Sequence, residues 1–228
     1  MRFVDLGTVS PEYSVCADRA VFESHLSGHT DNTLHIYTRD RPSISLGRFQ
    51  SLADTVRDIS DITVVRRMSG GGTIFSDPGQ MTYALTARTS DLPHAREESF
   101  KKICSALVIM FGKLGVTTVH KPVNDILCNG RKISGSAQYR DGGSIMQHGT
   151  IILSVDNSIV EKHLISCKRT YDGLTSVKDV LGYVPSREII VNALTDAFGE
   201  VFGTDIVHGE LTSDEMMRID ELMNGGVE

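Results

Sequence analysis

Three consecutive glycines, Gly70, Gly71 and Gly72, break what would otherwise be one extended run across residues 62–85, "ITVVRRMSGGGTIFSDPGQMTYAL". Glycine loses more conformational freedom on folding than any other residue, and it lets the backbone approach a neighbour closely. A triple glycine therefore ends a strand, and the chain must restart its extended structure beyond it. The pattern predicts a strand over 62–67. Two more strands follow, "GTIFS" and "QMTYALTA", paired through the turn Asp77-Pro78-Gly79.

The flanks read in the same way. Residues 12–26 suit a helix with Tyr13, Cys16, Ala17 and Ala20 facing inward. "TLHIYT" (33–38) alternates as a half-buried strand does, and "SISLG" (43–47) is its expected partner. Residues 97–115 place Phe100, Ile103, Leu107, Met110, Phe111 and Leu114 at helical spacing, with glutamates at the start and Gly115 at the end. Residues 124–154 read as a β meander in which Asn129-Gly130 is a hairpin turn. A helix is expected over about 186–202, and Thr212 with Glu215 forms a capping box for a last helix ending at Asn224-Gly225-Gly226. Strands cluster centrally and helices flank them. This predicts one α+β domain over residues 1–228, with an antiparallel or mixed sheet.

Composition narrows the class. The formal net charge of −6 argues against a nonspecific nucleic-acid binder. The four cysteines form no CxxC pair and no zinc-like spacing with histidine. No run approaches the ~20 apolar residues that cross a bilayer, and the first residues lack a signal-peptide pattern. The expectation is a reduced, cytoplasmic protein without membrane or nucleic-acid partners.

Two stretches carry candidate chemistry. Free N–H groups around Gly70–Gly72 can cradle an anion or carbonyl. Arg66 and Arg67 place permanent charge on alternate faces of a strand, one toward a ligand and one bracing the sheet. The same residues also suit a plain glycine-rich turn with solvated arginines. The second stretch, residues 121–150, gathers Asp125, Lys132, Arg140 and His148, with Ser134, Gly135, Ser136 and Ala137 after the lysine. Small side chains there leave room beside an ammonium, although a solvated meander fits that stretch as well.

Taken in order, Arg66-Arg67-x-Ser69-Gly70-Gly71-Gly72, Asn124-Asp125-Ile126, Gly130-x-Lys132-Ile133-x-Gly135-Ser136-Ala137 and His148-Gly149-Thr150 resemble the lipoate–protein ligase family. The resemblance spans about residues 30–200, including "YTRDRPSISLGRFQ". It implies the α+β fold shared with biotin–protein ligases and octanoyltransferases. It also implies ATP-dependent activation of lipoate to lipoyl-AMP, and transfer to a lysine of a carrier domain. Such carriers are a 2-oxoacid dehydrogenase E2 subunit or the glycine cleavage H protein. In that scheme Lys132 relieves the repulsion between a carboxylate and an α-phosphate. Asp125 holds Mg²⁺ or the ribose region. The glycine run, with Arg66 or Arg67, wraps the acyl-adenylate. Ser69, Asn124, Gly135, Ser136, Ala137, Arg140, His148, Gly149 and Thr150 complete the expected acyl and adenylate site.

The superfamily offers a second chemistry. Octanoyltransferases use no ATP and pass octanoate from acyl carrier protein through a cysteine thioester. Cys167, in "VEKHLISCKRTYDGLTSV" downstream of His148, resembles that cysteine's location, with Ser166 and Lys168 where proline and glycine are the pattern. An incidental cysteine at a helix end is the plain alternative; Cys104 and Cys128 read as buried. The chain ends at "RIDELMNGGVE", without the C-terminal accessory domain of full bacterial ligases; the resemblance then implies a separate accessory chain for adenylation, a transferase that needs none, or a chain inactive alone. A carrier-binding module without catalysis is the non-enzymatic alternative.

Overall fold

The computed structural model describes residues 1–165 and 173–225. In chain order the elements are β1 Arg2–Val9, α1 Pro11–Leu26, β2 Thr33–Arg39, β3 Ser43–Leu46, α2 Leu52–Thr55, β4 Thr63–Arg66, β5 Ile74–Ser76, β6 Gln80–Arg88 and α3 Arg96–Lys113. Then come β7 Val119–Lys121, β8 Asp125–Cys128, β9 Arg131–Asp141, β10 Ser144–Ile152, α4 Asn157–His163, α5 Val177–Leu181, α6 Arg187–Phe202, β11 Val207–Gly209 and α7 Ser213–Asn224.

Among the described residues, eight strands form one mixed sheet in the order β11-β1-β2-β6-β10-β9-β8-β7, and β4-β3-β5 form a second, smaller sheet. Strand alternation gives the large sheet two different faces. Leu34, Ile36, Met81, Tyr83, Leu85, Ile145 and Ile151 point one way, into one buried cluster with Ile103, Leu107 and Phe111 of α3 and Leu194 and Phe198 of α6. Each such side chain contributes roughly 1.5–3 kcal/mol on full burial, so this layer anchors the sheet. The other face carries polar and small residues, His35, Tyr37, Thr82, His148 and Thr150, and it is the face that borders a cavity.

The helices follow their sequence signals. Ser10 caps α1, Thr212 and Glu215 make a reciprocal capping box at α7, and Cys16, Ala17 and Ala20 of α1 pack on Ile219 of α7. Asn129 (φ 49°) and Gly130 (φ 77°) both take the left-handed conformation that a tight β8–β9 turn needs.

Two expectations need correction, and one strand was not anticipated. β3 does not pair with β2; it lies between β4 and β5 in the small sheet. β5 and β6 are not a hairpin, because the Asp77–Gly79 turn carries the chain from one sheet to the other. The Gly79 carbonyl accepts hydrogen bonds from the Leu153 and Ser154 N–H groups (3.0 and 2.8 Å), and this docking redirects the turn. β1 was not expected as a strand; it pairs in parallel with β2, a long-range contact that short-range turn signals do not announce.

Candidate active site

A cavity of about 290 Å³ lies between the polar face of the large sheet, the glycine loop, the small sheet and α4. Its floor is one cross-strand row. Tyr37 of β2 pairs with Thr82 of β6, Thr82 with Thr150 of β10, Thr150 with Gly135 of β9, and Gly135 with Asp125 of β8. The next row runs His35, Ala84, His148, Ala137. Small residues in the middle of both rows leave the space that a ligand would fill.

Lys132 reaches this floor through a break in register. Ile126 pairs with Ser134, but the next residue, Leu127, pairs with Lys132, so Ile133 is an extra residue in β9. In an unbroken strand Lys132 and Gly135 would point to opposite faces. The bulge puts them on the same one. Lys132 Nζ lies 2.6 Å from Asp125 Oδ1, and a Cβ built on Gly135 would collide with Lys132 Cε and Nζ. Both charged side chains are only partly exposed (19% and 16%), so the pair is shielded without being sealed. The lysine backbone is clamped as well: its N–H donates to Gly173 O (3.0 Å) and its carbonyl accepts from Thr175 N (2.9 Å). Asn124 fixes the neighbouring turn. Its Nδ2 donates to Ser136 O (2.5 Å), and its carbonyl accepts from Ser136 N (2.9 Å).

The glycine loop is held by Arg67. Its guanidinium donates to Ser69 Oγ (3.1 Å), Ser45 O (2.9 Å), Gly70 O (2.8 Å) and Gly72 O (2.6 Å). Burial, with Arg39 nearby, pushes the Arg67 guanidinium down to about 10. Gly71 has φ 91°, a left-handed conformation that favours glycine, and its carbonyl leaves no room for a Cβ on Gly47. Arg66 donates instead to the carbonyls of Gly47, Arg48 and Gln50 (3.1, 3.3 and 2.9 Å), so it braces the loop after β3.

Beneath the loop lies a buried polar chain. Ser69 Oγ is 2.6 Å from His148 Nε2, and His148 Nδ1 is 2.6 Å from Asp18 Oδ2. His35 Nε2 meets Asp18 Oδ1 at 2.9 Å, and the Tyr37 hydroxyl donates to Asp18 Oδ2 at 3.4 Å. Burial alone would raise the Asp18 carboxyl; the hydrogen bonds from His148 and His35 outweigh it and hold the group well below the usual carboxylate range.

Of the expected site residues, the cavity wall brings together Arg67, Gly71, Gly72, Asn124, Lys132, Gly135, Ser136, Ala137, His148, Gly149 and Thr150. Asp125 joins through Lys132, and Ser69 and Gly70 through Arg67 and His148. Arg66 and Arg140 do not line the cavity. Arg140 lies exposed near the end of β9 with its guanidinium on Ser99 Oγ (2.5 Å), because β9 runs on for four residues beyond Ala137. Cys167 lies outside the described residues. Cys104 and Cys128 are buried, and burial pushes the Cys104 thiol up to about 11.

Sequence reasoning missed Asp18, His35, Tyr37 and Arg39. For His35, Tyr37 and Arg39 the signal was the polar member of each alternating pair in "TLHIYTR"; Asp18, in α1, had none of that kind. For Mg²⁺ the residues present do not make a fit. Among the described residues no cluster of three ligating side chains exists, and Asp125 is already neutralised by Lys132.

The octanoyltransferase LipM of Moorella thermoacetica is 28% identical, over 97% of this chain and 93% of its own length. A lipoate-protein ligase A solved with ATP superposes with a TM-score of 0.86 at 22% identity, covering 98% of this chain and 94% of that one. The bi-partite lipoate protein ligase of Thermoplasma acidophilum, analysed with its E2 lipoyl domain, gives 0.84 at 22% identity, covering 98% and 91%. The biotin protein ligase of Aquifex aeolicus with biotin and ATP gives 0.54 at 11% identity, covering 89% and 70%. The family model for the lipoyl protein ligase A/B catalytic domain matches residues 10–199. The chain therefore belongs to the lipoyl protein ligase A/B catalytic-domain family, the enzymes that comprise lipoate ligases and octanoyltransferases, and it has their mixed-sheet fold.

Proposed function

We propose that this enzyme acylates the side-chain amine of a lysine on a carrier domain, taking a medium-chain acyl group from an activated carboxyl held at Lys132. The observation that carries this reading is the Lys132 ammonium, turned by the β9 bulge onto a floor of small residues beside the glycine loop. As the carrier amine attacks the acyl carbonyl, negative charge grows on its oxygen. A fixed ammonium in a shielded site stabilises that charge. A C–N bond forms and the bond to the leaving group breaks. With a thioester donor, the amine proton ends on the departing thiolate.

A thioester is the donor that the likeness to LipM supports, with octanoyl-acyl carrier protein as the model compound. Cys167 is then the candidate for a transient acyl thioester. Ile165 and Leu174, on either side of that segment in sequence, line the cavity. The second reading is ATP-dependent lipoate ligation through lipoyl-AMP. It is favoured by the cationic surplus of the wall, Arg39, Arg67 and Lys132 against Asp18 and Asp125, which suits a phosphate. The neighbour analysed with an E2 lipoyl domain supports a lipoyl domain as acceptor.

The test is mass spectrometry of a lipoyl domain incubated with octanoyl-acyl carrier protein, or with lipoate and ATP. Lys132→Ala should cut acylation by at least about 100-fold while the protein stays folded. Wild-type rates in that variant would remove the assignment. Cys167→Ser should abolish the thioester route and leave an ATP route intact. Carrier binding without any transfer would point instead to a docking module.

A further inference from the structure

We propose that Ser69 and His148 are positioning residues. Asp18 fixes the histidine proton on Nδ1, His148 Nε2 is then the post to which the glycine loop is tied, and this tie sets how tightly the acyl donor is held. The proposal rests on the acyl-transfer reading for the identity of that donor; the tie itself does not need it.

The order of donors and acceptors along the buried chain is set from both ends. A guanidinium only donates and a carboxylate only accepts. Arg67 Nε donates to Ser69 Oγ at 3.1 Å. The serine's own proton then goes to His148 Nε2, 2.6 Å away, so that nitrogen carries a lone pair. The histidine proton sits on Nδ1 and goes to Asp18 Oδ2 at 2.6 Å. Asp18 stays an acceptor, because in spite of its burial the hydrogen bonds from His148 and His35 hold its carboxyl below the usual range. His35 gives its Nε2 proton to Asp18 Oδ1 at 2.9 Å, and its Nδ1 has no hydrogen-bond partner among the described residues. A second proton on His35 would be a buried N–H without an acceptor, which is costly. Both ring nitrogens of His148 are thus engaged within the protein, and neither is left to take a proton from a substrate.

The chain of bonds ends on the loop. Ser69 is fully buried and does not line the cavity, so its hydroxyl serves the loop rather than a ligand. The three residues after it are glycines, with no side chains to hold them. Arg67 gathers Gly70 O and Gly72 O onto Ser45 O of β3, in the small sheet. The Ser69–His148 bond instead ties the loop to β10, in the large sheet that makes the floor. Gly71 sits over the same row of that floor. A Cβ built on it would lie 3.7 Å from Ala137 Cβ, and Ala137 is the strand partner of His148. Without the tie, a run of the residues with the most freedom to regain could lift from the floor and loosen the wall around a bound acyl group.

The two ring nitrogens can be removed separately, since an asparagine amide takes the place of Nδ1 and a glutamine amide that of Nε2. Full-length wild type, Ser69→Ala, His148→Asn and His148→Gln are compared by amide exchange of Arg48, whose N–H donates to Ser69 O at 2.9 Å. Amides of α3 gauge global unfolding in the same samples. Relative to α3, Ser69→Ala and His148→Asn should speed Arg48 exchange about tenfold, as the loss of one buried hydrogen bond implies, and His148→Gln should stay within about threefold of wild type. In acylation of a lipoyl domain from octanoyl-acyl carrier protein, the first two variants should raise the donor KM about tenfold and leave kcat within about threefold. Ser69→Ala combined with His148→Asn should be no worse than either alone. Unchanged Arg48 exchange in Ser69→Ala, equal exchange in the two histidine variants, or a loss confined to kcat would each overturn the proposal. Should a histidine variant fail to fold, Arg48 exchange in Ser69→Ala decides it. The expected exchange pattern with no acylation from any donor would remove the acyl-transfer reading and leave the tie standing.

Discussion

Gly135→Ala separates catalytic placement from stability more cleanly than removal of the lysine does. Gly135 has an ordinary backbone conformation, since it is absent from the residues with positive φ. Alanine therefore costs no backbone strain there, and reduced freedom of the unfolded chain stabilises by about 0.4–1 kcal/mol. The added Cβ, however, would collide with Lys132 Cε and Nζ and lie 3.1 Å from Asp125 Oδ1. Restoring ordinary contact, at about 3.5 Å or more, forces the amine back by roughly 1 Å. The obstacle is the far end of a flexible side chain, so the fold yields cheaply while the ammonium leaves its position. A displacement of about 1 Å at a reacting group costs on the order of 100-fold. The expected result is a lipoyl-domain acylation rate down about 100-fold by mass spectrometry, with Tm within about 3 °C of wild type. Undiminished acylation would mean that the Lys132 position does not matter to the reaction, and a large loss of Tm would mean that the methyl group disturbs more than the lysine.

Gly149→Ala should do the opposite. Its Cβ would meet Gly135 O at 2.6 Å, Ser136 Oγ at 2.8 Å and Tyr83 Cε1 at 2.9 Å, mostly fixed neighbours, so denaturant unfolding should show a loss of about 1–3 kcal/mol. Asp18 gives a pH signature. Its carboxyl is held below the usual range by His148 and His35 against its burial, so the stability it contributes is present above its unfolded pKa of about 3.9 and drains away as pH falls toward the folded value. Asp18→Asn should cost about 2–3 kcal/mol near neutrality and flatten the acid limb of stability against pH; an unchanged acid limb would show that other groups set it. Chemical labelling of thiols in the folded protein should spare Cys104, whose thiol is buried and pushed up to about 11; rapid modification there would contradict its place under Tyr83 and Gln147.

Local periodicity made the helices readable. The stripe from Phe100 to Leu114 and the Thr212–Glu215 capping box are signals carried within a few residues. Pairing between strands was less readable, because it is decided by distant partners. Nothing local in "SISL" says that it will join β4 and β5 rather than β2. The ordered motifs made most of the cavity wall legible, from Gly71 to Thr150. They did not reveal Asp18, since a lone carboxylate in a helix reads as solvated until His35 and His148 are folded against it. They also assigned Arg66 and Arg140 to the site. Arg66 is instead committed to three carbonyls, and Arg140 sits beyond the cavity at the strand end.

The irregularity at Ile133 joins two requirements usually thought to compete. Were that isoleucine taken into the ladder as an ordinary member, its side chain would turn toward the cavity and the neighbouring ammonium would be driven into hydrocarbon. Both moves are unfavourable. In the pairing observed, Ile133 is fully buried with the core and Lys132 faces the cavity. The pairing that buries Ile133 is thus the same pairing that aims Lys132 at the cavity. Selection on foldedness alone would preserve the lysine's aim, and loss of activity by slippage of this strand would be self-limiting.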